Sequence, residues 1–132
     1  MSTSPIAAVR ALHEALEQGK HGQALAGYFT PDASTVERPN ALKPRGAEAT
    51  LEQMLSNSTT GAGLLSQQRY ELVDAVEQGD MAIVRLVWTG TIAADVGKFS
   101  RGQQLRAYIA QFVSTRDGRI SRIETYDCYE PF

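Results

Sequence analysis

Apolar residues recur at three- and four-residue spacing in the first part of this chain and alternate singly in the second. Ile6, Val9, Leu12 and Leu16 share one stripe with His13, which predicts a helix with one buried face. Ser4-Pro5 opens it, a hydroxyl to cap free amides followed by a proline where no amide is needed. Gly19 is its predicted stop. A second helix is predicted over Gln23 to Phe29, with Leu25, Tyr28 and Phe29 inward and Thr30-Pro31-Asp32 ending it. A third is predicted over Ala47 to Leu55, burying Ala47, Leu51, Met54 and Leu55.

From about Gln67 the period becomes two, as in half-buried strands. Tyr70 and Leu72 alternate with Arg69 and Glu71, and Glu77-Gln78-Gly79-Asp80 is a hairpin turn. Met81 to Ala93 is rich in strand formers on both faces, which predicts a covered strand. Leu105 to Ser114 is the next strand, and Thr115-Arg116-Asp117-Gly118 turns the chain into a last one from Arg119 to about Tyr129. With a short strand near Thr35 to Arg38, the order is helices first and a meander after. That order predicts an α+β fold, three N-terminal helices packed on a strongly curved, mostly antiparallel sheet, with a blind hole between the layers.

At 132 residues the chain suits one domain, 1–132, with a core of its own. Apolar residues make up 42% and charged ones 21%, so a disordered or membrane-spanning class is excluded by composition. A net charge of -2 leaves no basic footprint for nucleic acid or an anionic membrane. The single cysteine, Cys128, forms no internal disulfide. No basic-then-apolar leader opens the chain, so the cytoplasm is the expected location. His13 and His21 are isolated from one another and from thiols, so no metal is expected. The loop glycines of Gly61-Ala62-Gly63 and Gly97 fit no phosphate-cradling motif, and no cofactor is expected.

The run Ser34-Thr35-Val36-Glu37-Arg38-Pro39 with Pro44-Arg45-Gly46 resembles the segment after the second helix in ketosteroid isomerases and SnoaL-like polyketide cyclases. Val87-Trp88-Thr89-Gly90 resembles one of their middle strands. Arg116-Asp117-Gly118-Arg119-Ile120, followed by Tyr126 to Phe132, resembles SnoaL-like members of the nuclear transport factor 2 (NTF2-like) superfamily. The resemblance spans nearly the whole chain and implies the NTF2-like cone. It also implies a homodimer packed through the sheets, as does a large apolar sheet face carrying Ile109, Val113 and Ile83 or Val87.

Carried over residue by residue, the resemblance removes the familiar catalysts. The isomerase base position falls on Arg38, whose guanidinium stays protonated. The oxyanion-hole positions fall near His13 and on Ala110, and the cyclase aspartate position falls on Thr125. If Thr125 points inward, Ile123 and Asp127 do as well, and Ala110 brings Tyr108 and Phe112 with it.

Two readings follow. In the first, a small, mostly apolar organic molecule undergoes cofactor-independent acid–base chemistry of isomerase, cyclase, dehydratase or hydrolase type. His13, Arg38 and Asp127 supply the polar groups, and Tyr28, Trp88, Tyr108 and Phe112 supply walls that double as core. In the second, the domain binds or dimerises without catalysis, a reading favoured by the missing carboxylates. His13 is then a core histidine with one hydrogen bond, and Arg38 and Asp127 form a structural ion pair. An unpaired Asp127 in a dry site has a raised pKa and acts as acid or base.

Overall fold

The structure, a computed structural model, describes residues 3–132. Helix α1 (Pro5–Glu17) starts as expected: Ser4 Oγ accepts from the Ala7 amide at 3.1 Å, and Pro5 follows the cap. Its buried stripe is Pro5, Ala8, Val9, Leu12, His13 and Ala15. The second helix is a short 3₁₀ segment, Gly22–Tyr28, and the chain enters strand β1 (Phe29–Glu37) at the residue expected to finish it. Thr30-Pro31-Asp32 therefore lies within β1. Its pairing is irregular between Phe29 and Ser34, where Pro31 offers no amide to a ladder.

Ala47 to Thr50 forms strand β2 against β1, not the start of a helix. Helix α2 (Leu51–Leu64) begins only after Thr50, which makes a capping box with Gln53: each backbone amide is bonded by the other's side chain, at 3.3 and 2.9 Å. It then runs through Gly61 and Gly63, which were expected in a loop. None of its residues is fully buried, although Leu51, Met54 and Leu55 rest against the core. The helix is thus a loosely seated cover.

Strands β3 (Leu65–Gln78), β4 (Met81–Ile92), β5 (Gln104–Arg116) and β6 (Arg119–Tyr129) complete one six-stranded sheet in the order β2-β1-β6-β5-β4-β3. Every pair is antiparallel except β1 with β6. Register shifts interrupt β3–β4 and β5–β6, and such bulges bend and twist a sheet. The fold is α+β, helices on a curved sheet, the NTF2-like cone.

The core lies between the helices and one sheet face. Leu86, Val84, Val9, Val113 and Ile120 are its largest fully buried side chains. On β4 the inward positions are Ala82, Val84, Leu86 and Trp88. The Trp88 indole lies over Gly90, where a Cβ would come within 2.5 Å of two ring carbons. Only glycine permits that approach, which explains the Trp88-Thr89-Gly90 sequence.

On β5 the phase is opposite to the sequence expectation. Ala107, Ile109 and Val113 face the helices, while Tyr108 and Phe112 are 48% and 38% exposed on the other side. Ala110 shares that outer face, between Arg85 and Tyr126. The cause is one residue. Arg116 pairs with Arg119 and Thr115 with Ile120, but Ser114 pairs with Arg122, so Ser121 bulges out of the ladder. Without that bulge Ala110 would oppose Thr125; with it Gln111 does.

Candidate functional site

Three strands meet at Thr125. Its antiparallel partner on β5 is Gln111 and its parallel partner on β1 is Glu37, so all three side chains point to the helix side. Alternation along β6 places Ile123, Asp127 and Tyr129 on the same face. From above, α1 lowers His13 onto Gln111. The resulting row joins α1, β5, β6 and β1.

Its hydrogen bonds run one way. His13 Nε2 lies 3.3 Å from Gln111 Oε1, Gln111 Nε2 lies 3.5 Å from Thr125 Oγ1, and the Thr125 hydroxyl donates to Asp127 Oδ1 at 2.5 Å. An amide oxygen only accepts, so His13 carries its proton on Nε2 and every donation points toward the Asp127 carboxylate. His13 is 6% exposed, and burial lowers its pKa to about 4 despite the opposing pull of Gln111 and Glu17. It is therefore neutral near pH 7. Its ring stacks on Tyr70, with centroids 4.5 Å apart and planes at 12°.

Asp127 is half-buried, and burial raises its pKa. The neighbouring Glu37 pushes the same way, while the Thr125 hydroxyl and Lys43 pull it down. Glu37 is itself held in place: Lys43 Nζ is 3.3 Å from one oxygen, and Asn40 Nδ2 donates to the other at 2.8 Å. Tyr129 completes this end. Burial and then Asp127 push its hydroxyl upward, so it stays protonated and able to donate. Tyr70 is shifted upward by the same two causes. Gln68 braces the far side: its Oε1 accepts from Trp88 Nε1 at 2.9 Å and from the Tyr70 hydroxyl at 3.2 Å.

His13 and Asp127 thus belong to one network, linked through two residues. Arg38 does not join it. One step past the inward Glu37, its side chain turns to the outer face and binds Glu124, with Nε donating to Oε2 at 2.7 Å. The Arg38–Asp127 pair is absent, and the expected inward position of Arg38 is corrected to outward. Tyr108 and Phe112 stand outside as well: Tyr108 bonds Glu130 at 2.5 Å, and Phe112 packs edge-on against Tyr126 at 5.8 Å. Ala110 lies between them. Ile123 and Trp88 are buried on the inner face, and Tyr28 is partly buried against the same core.

Sequence reasoning missed Glu37, Gln111, Gln68, Tyr70 and Tyr129. Glu37 was within reach, as the neighbour of Arg38 on an alternating strand beside an inward Thr125. Gln111 was not, because no residue type announces the Ser121 bulge. Among the described residues no group of three or more His, Cys, Asp or Glu side chains is placed to hold a metal ion. Among them, too, no helix is long and apolar enough to cross a membrane.

A cleft of about 660 Å³ opens beside this network, between the end of α1, α2 and the start of β3. Gln68 and Tyr70 line both, whereas Asp127 and Arg38 do not line the cleft.

Comparison with known proteins gives a consistent picture. The sequence profile described as "SnoaL-like domain" matches residues 9–123. No curated protein is significantly similar in sequence. Among solved structures, IdmH from Streptomyces antibioticus, a candidate polyketide cyclase, superposes with a TM-score of 0.77 at 23% identity, over 93% of this chain and 91% of that one. A protein of ketosteroid isomerase-like fold from Catenulispora acidiphila, in complex with trimethylamine, gives 0.73 at 22% identity over 94% and 86%. A candidate polyketide cyclase from Acidithiobacillus ferrooxidans gives 0.70 at 17% identity over 90% and 83%. At these identities the likeness establishes fold.

Proposed function

The chain belongs to the SnoaL-like domain family, and from that premise we propose that it catalyses proton transfer on a small, mostly apolar organic molecule without a cofactor, as an isomerase or cyclase does. The observation that carries this reading is the state of Asp127. It is half-buried, raised in pKa, bonded to one hydroxyl and, among the described residues, free of any cationic partner at hydrogen-bond distance.

A carboxylate of that kind suits the removal of a proton from carbon beside a carbonyl. The proton passes to Asp127, and the electron pair of the broken C–H bond moves onto the carbonyl oxygen as an enolate. The neutral Tyr129 hydroxyl, on the same face of the same strand, donates to such an oxygen in this reading. Return of the proton at another carbon, or attack of the enolate carbon on a second carbonyl, completes an isomerisation or a ring closure. Neutral His13 acts through Gln111 and Thr125, orienting the hydroxyl that holds Asp127. The relatives named as polyketide cyclases support the same class of chemistry.

The test uses deuterium exchange. 2-Tetralone and a set of aryl 1,3-diketones in D₂O are followed by NMR with and without protein. Exchange at the acidic carbon should exceed the buffer rate, rise with pH through the raised Asp127 pKa, and fall about 10²–10⁴-fold in Asp127→Asn. Exchange unchanged by that substitution, or absent with every ketone, would leave a ligand-binding module and sink the catalytic reading.

The outer sheet face supports a second element of this proposal. Tyr108, Phe112 and Tyr126 expose aromatic rings beside Ile83 and Val87 on neighbouring strands, an apolar surface suited to self-association. Sedimentation equilibrium should give twice the chain mass for the wild type and the chain mass for Phe112→Glu. A monomeric wild type at about 100 µM, well above a typical micromolar Kd, removes this element.

A further inference from the structure

The cleft beside α1 differs in chemistry from the Asp127 centre. Glu17 and Lys20 contribute one charge of each sign, and the hydroxyls and amides on its walls, among them Ser58, Thr59 and Gln67, carry none. Opposite charges on one wall favour neither anion nor cation. Hydroxyls and amides both donate and accept, which suits a ligand made of hydroxyls. Tyr70 also lines the cleft, with its ring stacked on His13, and adds an aromatic surface to the wall. The volume, about 660 Å³, lies in the range of small-molecule sites.

The second observation is a pair of glycines. Gly61 and Gly63 stand in the last turns of α2 and line the cleft with Ala62. Neither has a positive φ. A Cβ at either position would meet nothing within 4 Å. Backbone geometry therefore does not require glycine, packing does not require it, and helix propensity opposes it. Space kept open at a cost to the helix is space for something that approaches the backbone closely.

We propose that this cleft binds a neutral polyhydroxylated group, a sugar ring or polyol, seated against Gly61-Ala62-Gly63. The ring lies flat on the smooth helix wall, and its hydroxyls exchange hydrogen bonds with the side chains opposite. Since Gln68 and Tyr70 belong to both regions, a molecule with an apolar end and a hydroxyl-bearing end fits the two together.

The full chain, labelled with ¹⁵N, is titrated with methyl β-D-glucopyranoside and with myo-inositol. Saturable amide shifts are expected at Lys20, Gly61, Gly63 and Gln67 for at least one probe. Gly61→Ala and Gly63→Ala should each raise Tm by about 2–4 °C, as removing glycine from an unobstructed helix does. Both should weaken probe binding about tenfold, as a methyl group intrudes where the ligand lies. No saturable shifts with either probe overturns the proposal. So does a fall in Tm in both alanine variants, which would make the glycines a structural need, or a rise in Tm with binding intact. The titration reads binding without turnover, so its outcome is independent of the deuterium-exchange result.

Discussion

Two carboxylates three residues apart on β6 titrate in opposite directions. Asp127, on the inner face, is raised by burial. Glu124, on the outer face, is lowered, first by its bond to Arg38. The same strand supplies both, and alternation alone separates them. On the inner side the acid is bonded to one hydroxyl, that of Thr125, which the Gln111 amide and the neutral His13 imidazole back up in turn. On the outer side it meets a guanidinium and the Tyr126 hydroxyl, 3.2 Å away. A charge bound by a counter-charge in water is settled and chemically quiet. A charge bound only by dipoles in a half-dry site has reason to change its protonation state.

The largest test of this division concerns packing. Ile109→Ala on the inner face should cost about 2–4 kcal/mol in urea unfolding, whereas Phe112→Ala on the outer face of a dilute sample should cost about 1 kcal/mol or less. Equal or reversed costs would put the β5 phase back where alternation without a bulge had it.

Next comes the pH dependence from His13. Its folded pKa of about 4 lies below the unfolded value of 6.5. Between those pH values the unfolded chain binds the proton and the folded chain does not, so stability falls as pH drops from 6.5 toward 4. The full loss is about 3 kcal/mol. Asp127 opposes it, because a carboxyl raised in the fold gains its proton there first. Urea melts at pH 7 and 4.5 should show a decline in the wild type and a flatter response in His13→Gln. An unchanged decline in that variant would place the proton uptake elsewhere.

The smallest effect separates the two acids directly. Asp127→Asn should raise stability at pH 7, since the neutral form is the one burial favours, while Glu124→Gln should not. Carbon-detected NMR titration should place the Asp127 carboxyl above the usual aspartate range and Glu124 below the usual glutamate range. Both falling on one side would dissolve the contrast.

Much of this arrangement was legible in the chain itself. The α1 stripe, the Ser4-Pro5 start and the four long strands follow from spacing and capping that packing enforces. The family resemblance gave the cone and, through Thr125, the inward face of β6. What stayed hidden were events of single residues. Thr50 chose to cap α2, so Ala47 became a strand. Gly61 and Gly63 stayed helical against propensity. Ser121 left the ladder and exchanged Ala110 for Gln111, and a one-residue slip of that kind moves every side chain of a strand to the other face. Arg38 was misplaced for the related reason that a motif aligns residues, whereas a pleat assigns them to sides.

One pairing also orders events in time. β1 joins strands β3 to β6 only by lying parallel to β6, which follows every other strand among the described residues, and the Arg38–Glu124 contact that flanks this seam spans 86 positions of sequence. Glu37 and Asp127 therefore remain apart until β6 has been synthesised. A nascent chain that stops short of β6 lacks Asp127 and the strand that β1 lies parallel to. Closing that long loop costs entropy which nearby contacts do not share. The meeting of Glu37 with Thr125 is thereby withheld until β1 and β6 have paired.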